Sequence, residues 1–283
     1  MKKVNKILFP TDFSATSQNA FRFALWFADK LEADIDLLHV VYPEAEPMDF
    51  PVLVARATKQ KMEAAKDMVK IFMDTGMAQV QAAHPLQNVP NVHADIEMGI
   101  SSVLIPEVAK TDNVDMIIMG TQGEHSTLER IVGSVTSAVI RKAHCPVLVV
   151  PEKAQFEHLT TVAYATDLSE TDPFHIWETG KILSPFSPIL RVVHIEKEAN
   201  EKKPINMKDL ETFFANRAPA LQINFHNIRA GNVMEELENF VNIWEVDLMV
   251  MHRPKRGFFE KLFHTSFTKK EVFHTHVPLL IIK

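Results

Sequence analysis

The chain is written twice, and this repetition constrains its fold more tightly than any other feature. The stretch Lys6-Ile-Leu-Phe-Pro-Thr-Asp12-Phe-Ser14 returns 155 positions later as Thr161-Val-Ala-Tyr-Ala-Thr-Asp167-Leu-Ser169, and the apolar run ending in His39-Val40 returns at the same spacing as His194-Ile195. Further along, the spacing is 132. There Gly99 pairs with Gly231, the run from Asp115 to Met119 with the run from Asp247 to Met251, and Pro146-Val-Leu-Val-Val150 with Pro278-Leu-Leu-Ile-Ile282. Two homologous halves follow, residues 1–152 and 153–283, joined near Glu152 to Glu157.

Within each half, short apolar runs alternate with helical patterns, the order expected of a parallel α/β sheet. In the first half the strands read Lys6 to Phe9, Ile35 to Val40, Val92 to Glu97, Met116 to Met119 and Val147 to Val150. Ala20, Ala24, Phe27, Ala28 and Leu31 repeat with helical spacing, and Ser14 and Ser17 are candidate caps at the start of that helix. A second helix is expected from about Ala57 to Asp74, a third from Ser101 to Ala109 and a last from Ser134 to about Ala143. Pro106 strains the third unless it falls in the first turns. Continuous apolar strands such as Met116-Ile-Ile-Met119 indicate a sheet covered on both faces, where ligands bind beyond the strand carboxyl ends at the reversal of strand order. Asp12, His39, Val40 and Gly120 all fall at such ends.

Only eight glycines occur in 283 residues, so their positions carry information. Three lie close together, in Gly120-Thr-Gln-Gly123 and in Gly133-Ser134 further on. A glycine directly after a strand lets a ribose or phosphate approach the backbone. Gly133-Ser134 then opens a helix whose N–H groups and dipole favour phosphate. The same glycines can equally serve a loop and a helix entry, and Asp12 an Asx turn or helix cap rather than a ribose hydroxyl or an exocyclic amine.

On these residues the sequence resembles a bacterial-type universal stress protein in tandem form, with two such domains in one chain. The likeness is carried by the opening strand with Pro-Thr-Asp-Phe-Ser, the Leu-Leu-His-Val strand, Asp115-Met-Ile-Ile-Met-Gly120, the spaced glycines with Gly-Ser, and Cys145-Pro-Val-Leu-Val-Val150. The resemblance implies a Rossmann-like, doubly wound α/β domain in each half, with a parallel sheet of five strands in the order 3-2-1-4-5. It also implies ATP in the crevice, as in many members. Carried onto this chain, the contacts would be Asp12 beside the nucleoside, Val40 lining the adenine pocket, and Met119 with Gly120 along adenine and ribose. Gly123, Gly133, Ser134 and Val135 would lie near ribose and phosphates. Magnesium is implied by the chemistry of ATP rather than by any residue. Family members commonly pair through the last strand, so Val147 to Val150 and Leu279 to Ile282 are expected to join the halves as an intramolecular pseudo-dimer, with a homodimer of two chains left open.

The second copy has lost the glycine motif. Gly120 becomes His252, Gly123 becomes Lys255 and Gly133 becomes Thr265, while Ser134 persists as Ser266. Bulky residues where positive φ or close backbone approach is needed disfavour the same geometry, so the second domain is expected to bind ATP poorly or not at all. The replacement segment, His252 to Lys270, carries six Lys or Arg and one Glu, with Phe259, Phe263 and Phe267 four apart. It reads either as a docking surface for an anionic partner or as a solvated loop whose phenylalanines pack inward. No H-x3-H spacing occurs among the thirteen histidines, and no metal is assigned. Cys145 reads as a small buried residue.

Thirty basic residues against 36 acidic ones argue against a broad nucleic-acid surface. A single cysteine, and no signal-peptide core in the first ten residues, make the cytoplasm the expected compartment. No apolar run approaches the roughly 18 residues of a membrane span. Three functions remain: an ATP-binding stress-response or signalling module read by an unidentified protein partner, a slow ATP hydrolase using Glu124 or His125, and a nucleotide-independent adaptor acting through residues 252–270. No catalytic residue is assigned, because the chain lacks both G-x4-G-K-[ST] and a Ser-Gly-Gly-x-Asp loop.

Overall fold

The computed structural model of the chain describes residues 3–42, 51–121, 133–154, 156–196, 203–215, 217, 221–252 and 277–283. In the first half β1 (Lys6–Thr11), α1 (Ala15–Leu31), β2 (Asp34–Val41), α2 (Pro51–Ala83), β3 (Val92–Met98), α3 (Ser101–Thr111), β4 (Met116–Gly120), α4 (Ser134–Lys142) and β5 (Val147–Val150) alternate. As far as it is described, the second half repeats the order with β6 (Thr161–Ala165), α5 (Asp172–Leu183), β7 (Ile189–Glu196), α6 (Met207–Ala215), β8 (Ile223–Arg229), α7 (Val233–Ile243), β9 (Leu248–His252) and β10 (Leu279–Ile282).

Ten strands form one sheet in the order β3-β2-β1-β4-β5-β10-β9-β6-β7-β8. Each half thus carries the order 3-2-1-4-5 with parallel neighbours, while β5 and β10 meet antiparallel, Leu280 opposite Leu148. These two apolar strands would be hazardous as free edges; paired with each other, every residue in them is at most 2% exposed. Alternating side chains feed two cores. Leu148, Val150, Leu280 and Ile282 join the layer containing Phe9, Phe21, Phe72 and Tyr164, and Val147, Val149, Leu279 and Ile281 join the layer beneath α3, α4 and α7. Both cores run unbroken across the junction between the halves.

The repeat extends to backbone conformation. Left-handed residues occur in three pairs at the repeat spacing, Phe13 with Leu168, Glu32 with Ser187, and Asn113 with Glu245. The aspartate that opens each Asp-x-x-x-Met strand has one task in both halves: Asp115 accepts from the N–H groups of Asn5 and Lys6, and Asp247 from those of Thr160 and Thr161. Each carboxylate thereby ties the start of one central strand to the start of its neighbour.

Two helices differ from expectation. α2, expected from about Ala57 to Asp74, runs from Pro51 to Ala83, and Gly76 inside it is a packing contact: a Cβ there would stand 2.5 Å from Phe21 Cδ1. Glycine inside a helix costs roughly 1 kcal/mol relative to alanine, here offset by the close approach of the Phe21 ring. α3 continues through Pro106, which lies beyond the first turn. The Ser102 carbonyl, deprived of an N–H from position 106, accepts instead from Lys142 Nζ of α4 at 3.1 Å. No helix of the described residues is long and apolar enough to cross a membrane.

Candidate functional site

Strand order reverses between β1 and β4, which opens a crevice beyond their carboxyl ends. Exposed Asp12 directly follows β1. Its Oδ1 accepts from the Ser14 N–H at 3.1 Å and the Ser14 hydroxyl at 2.7 Å, while Ser14 Oγ accepts from the Ser17 N–H and caps α1. The Asx-turn alternative is therefore realised, and these bonds fix the Asp12 carboxylate at the mouth of the crevice. Behind it, left-handed Phe13 stacks on His39, ring centroids 4.3 Å apart, and His39 Nδ1 donates to the Thr11 carbonyl at 2.9 Å. His194 makes the same bond to Thr166 in the second half. Both histidines brace the turn after the first strand.

Across the crevice Gly120 ends β4. A Cβ on it would stand 3.1 Å from Thr16 Cγ2, so the strand end lies close against α1. Gly133, in an extended conformation, precedes α4, and no side chain among the described residues caps that helix. Gly133 donates to the Thr121 carbonyl at 2.7 Å and Thr136 Oγ1 to the Gly120 carbonyl at 3.0 Å. These bonds bring Gly120 and Gly133 together. Ser134 is exposed at the start of α4, and Val40, Met119 and Val135 share one apolar layer beside it. Gly123 lies outside the described residues, as do 122–132. Thr16 and Ser17 escaped the sequence reading as site neighbours; their signal was the run of small residues after Asp12.

The described glycines do not supply the positive φ that the loss of the motif was expected to remove. No described glycine has positive φ, so Gly120 matters through the volume it leaves, not through a left-handed backbone. The second crevice is filled accordingly. His252, in Gly120's place, stacks on His175 of α5, and His175 stands where α1 has Ala20. Burial first, and then the His175 ring, hold His252 below its ordinary value. His175 Nδ1 lies 3.6 Å from Glu178 Oε2, and neither atom has a hydrogen-bond partner among the described residues. Ser17 of the first half is replaced by Asp172, 1% exposed, which accepts from Tyr164, Thr166 and the Ser169 N–H.

Lys255, Thr265 and Ser266 lie outside the described residues, with the whole of 253–270 and with His264, His274 and His276. Among the described residues no group of three or more His, Cys, Asp or Glu could hold a metal. Cys145 is buried, which pushes its thiol up to about 12.

A family model described as the universal stress protein family matches residues 3–151. Universal stress protein MJ0577 of Methanocaldococcus jannaschii is 31% identical over 159 residues, covering 52% of this chain and 95% of that protein. Universal stress protein MJ0531 of the same organism is 32% identical over 146 residues, covering 51% and 81%. A solved universal stress protein from Archaeoglobus fulgidus is alike in fold over 99% of this chain and 97% of its own, with a TM-score of 0.71 at 16% identity.

Proposed function

Because the chain belongs to the universal stress protein family, we propose that its first domain binds ATP between β1 and β4, and that the chain serves as a stress-response or signalling module whose nucleotide state a partner protein reads. On this reading it is a tandem of two family domains, 1–152 and 153–283, with one nucleotide site. The observation that carries the proposal is the contrast between matching positions, Ala20 and Gly120 in one crevice and His175 stacked on His252 in the other.

The residues present fit the ligand. Among the described residues no side chain caps α4, so N–H groups at Ser134 and Val135 would donate to phosphate, aided by the helix dipole. Val40 and Met119 would form the wall against adenine, and Asp12 would accept from a ribose hydroxyl. Gly120, Gly123 and Gly133 would leave the backbone open to ribose and phosphates. A magnesium ion would enter with the phosphates and neutralise their charge. Ligand binding then acts by favouring one arrangement of the loops around it.

Isothermal titration with ATP, on the wild type and on Gly123→Val and Gly133→Val, tests the reading. Saturable heat that the valines abolish supports it. No heat in the wild type, or heat that both variants keep, overturns it and favours the nucleotide-independent adaptor. Phosphate release under saturating Mg-ATP decides whether the bound nucleotide is hydrolysed.

A further inference from the structure

At the amino ends of the strands, away from both crevices, the two halves carry opposite chemistry at matching positions. In the first half Lys6 Nζ pairs with Asp36 Oδ2 at 2.7 Å, and Asp112 and Asp95 add negative charge around the pair. The repeat places Arg191 where the first half has Asp36, Trp244 where it has Asp112, and Thr161 where it has Lys6. Strand register places His226 where it has Asp95, since Ile35 lies opposite Val92 and Leu190 opposite Ile223. Three carboxylates have become a guanidinium, an imidazole and an indole.

These groups touch. Arg191 Cζ lies 3.7 Å from the centre of the Trp244 ring, and the His226 ring lies 5.2 Å from Trp244 and 5.1 Å from Phe240. Arg191 Nε and His226 Nε2 are enclosed without a hydrogen-bond partner, and no carboxylate among the described residues pairs with Arg191. A half-buried guanidinium stacked on an indole keeps its planar fork of donors in one orientation, the arrangement that suits a carboxylate or phosphate edge. The first half answers its cation with Asp36 from within the chain; the second half offers the cation with no such acid among the described residues.

We propose that Arg191 and His226, floored by Trp244, form a binding site for a small oxyanion, a carboxylate or a phosphate group. The Arg191 fork makes the main contact and His226 a second one. Among the described residues the titratable group facing His226 is Arg191 of β7, while α7 faces it with Phe240 and, from the cap just after the helix, Trp244. An anion bound between them favours the protonated imidazole, so binding tightens as pH falls.

The test titrates sulfate, phosphate and acetate separately into the full chain at constant ionic strength, with chloride as control. Tryptophan fluorescence and the His226 imidazole resonance report binding. Expected are a saturable response absent with chloride, a His226 pKa that rises when sulfate is bound, and sulfate affinity several-fold tighter near pH 6 than near pH 8. Saturation with acetate but not phosphate identifies a carboxylate site, and the converse a phosphate site. Arg191→Gln abolishes saturation and Arg191→Lys weakens it through loss of the fork. Should Arg191→Gln fail to fold, His226→Gln takes its place and is expected to lose the pH dependence. A response no different from chloride, or one unchanged in both Arg191→Gln and His226→Gln, overturns the proposal.

Discussion

His252 lies flat against His175, ring centroids 3.9 Å apart and planes within 15° of parallel. Burial and this neighbour depress the His252 pKa below 6.5, and burial with Arg191 depresses that of His226. The folded chain therefore holds both rings neutral at pH values where the unfolded chain protonates them. Their contribution to stability is complete above about pH 6.5 and is lost as pH falls from there through the folded values. The urea midpoint is expected to drop between about pH 7 and about pH 5.5, and to drop less in His252→Gln. Equal slopes in the two proteins would contradict this.

Gly120 and Thr16 are expected to be coupled. A methyl group at 120 would press on Thr16 Cγ2 from 3.1 Å, so Gly120→Ala should cost about 1–2 kcal/mol by overpacking. Thr16→Ser removes that Cγ2 and should recover most of the loss. A double-mutant cycle by thermal unfolding measures the recovery; simple additivity of the two changes would argue against the contact.

Asp172 should outweigh its counterpart Ser17. Asp172→Ala strips Tyr164, Thr166 and the Ser169 N–H of their acceptor inside the core, with an expected loss of about 2–4 kcal/mol. Ser17→Ala removes one hydroxyl paired with Thr11, at about 1 kcal/mol. Urea denaturation of the two variants gives the comparison directly, and equal losses would refute the ranking.

Lys142 should matter only while Pro106 is present. Lys142→Met removes the donor to the Ser102 carbonyl and is expected to cost up to about 1 kcal/mol, since the bond is exposed. In a Pro106→Ala background the restored N–H satisfies the same carbonyl, and the lysine change should become close to neutral. A full loss in both backgrounds would show that the two residues do not share that acceptor.

The architecture was legible because repetition and period are properties of sequence. The equivalence of Val147 to Val150 with Leu279 to Ile282 already identified the two strands that would otherwise be free edges. The extension of α2 past Asp74 and the ease with which α3 holds Pro106 were not legible locally, since what accommodates Gly76 and Pro106 is a distant partner, the Phe21 ring in one case and Lys142 in the other. At the crevice, the loss of Gly120 in the second copy was visible as His252, yet its consequence lay in His175, 77 positions earlier in the chain. Only the 155 spacing, which sets Ala20 against His175, could have joined them. The inversion from Asp36 to Arg191 was likewise written in the repeat, but its meaning needed the register that sets His226 beside it.

The antiparallel contact of β5 with β10 has a further consequence for how such a chain can change over time. Two separate chains joined this way would come apart on dilution, whereas here the effective concentration of one edge near the other is fixed by the linker. The second half keeps the first half's last strand covered whatever becomes of its own crevice. It can therefore drift in chemistry, filling one cleft with imidazoles and exchanging an aspartate for an arginine, while still supplying the structural service that the first half requires.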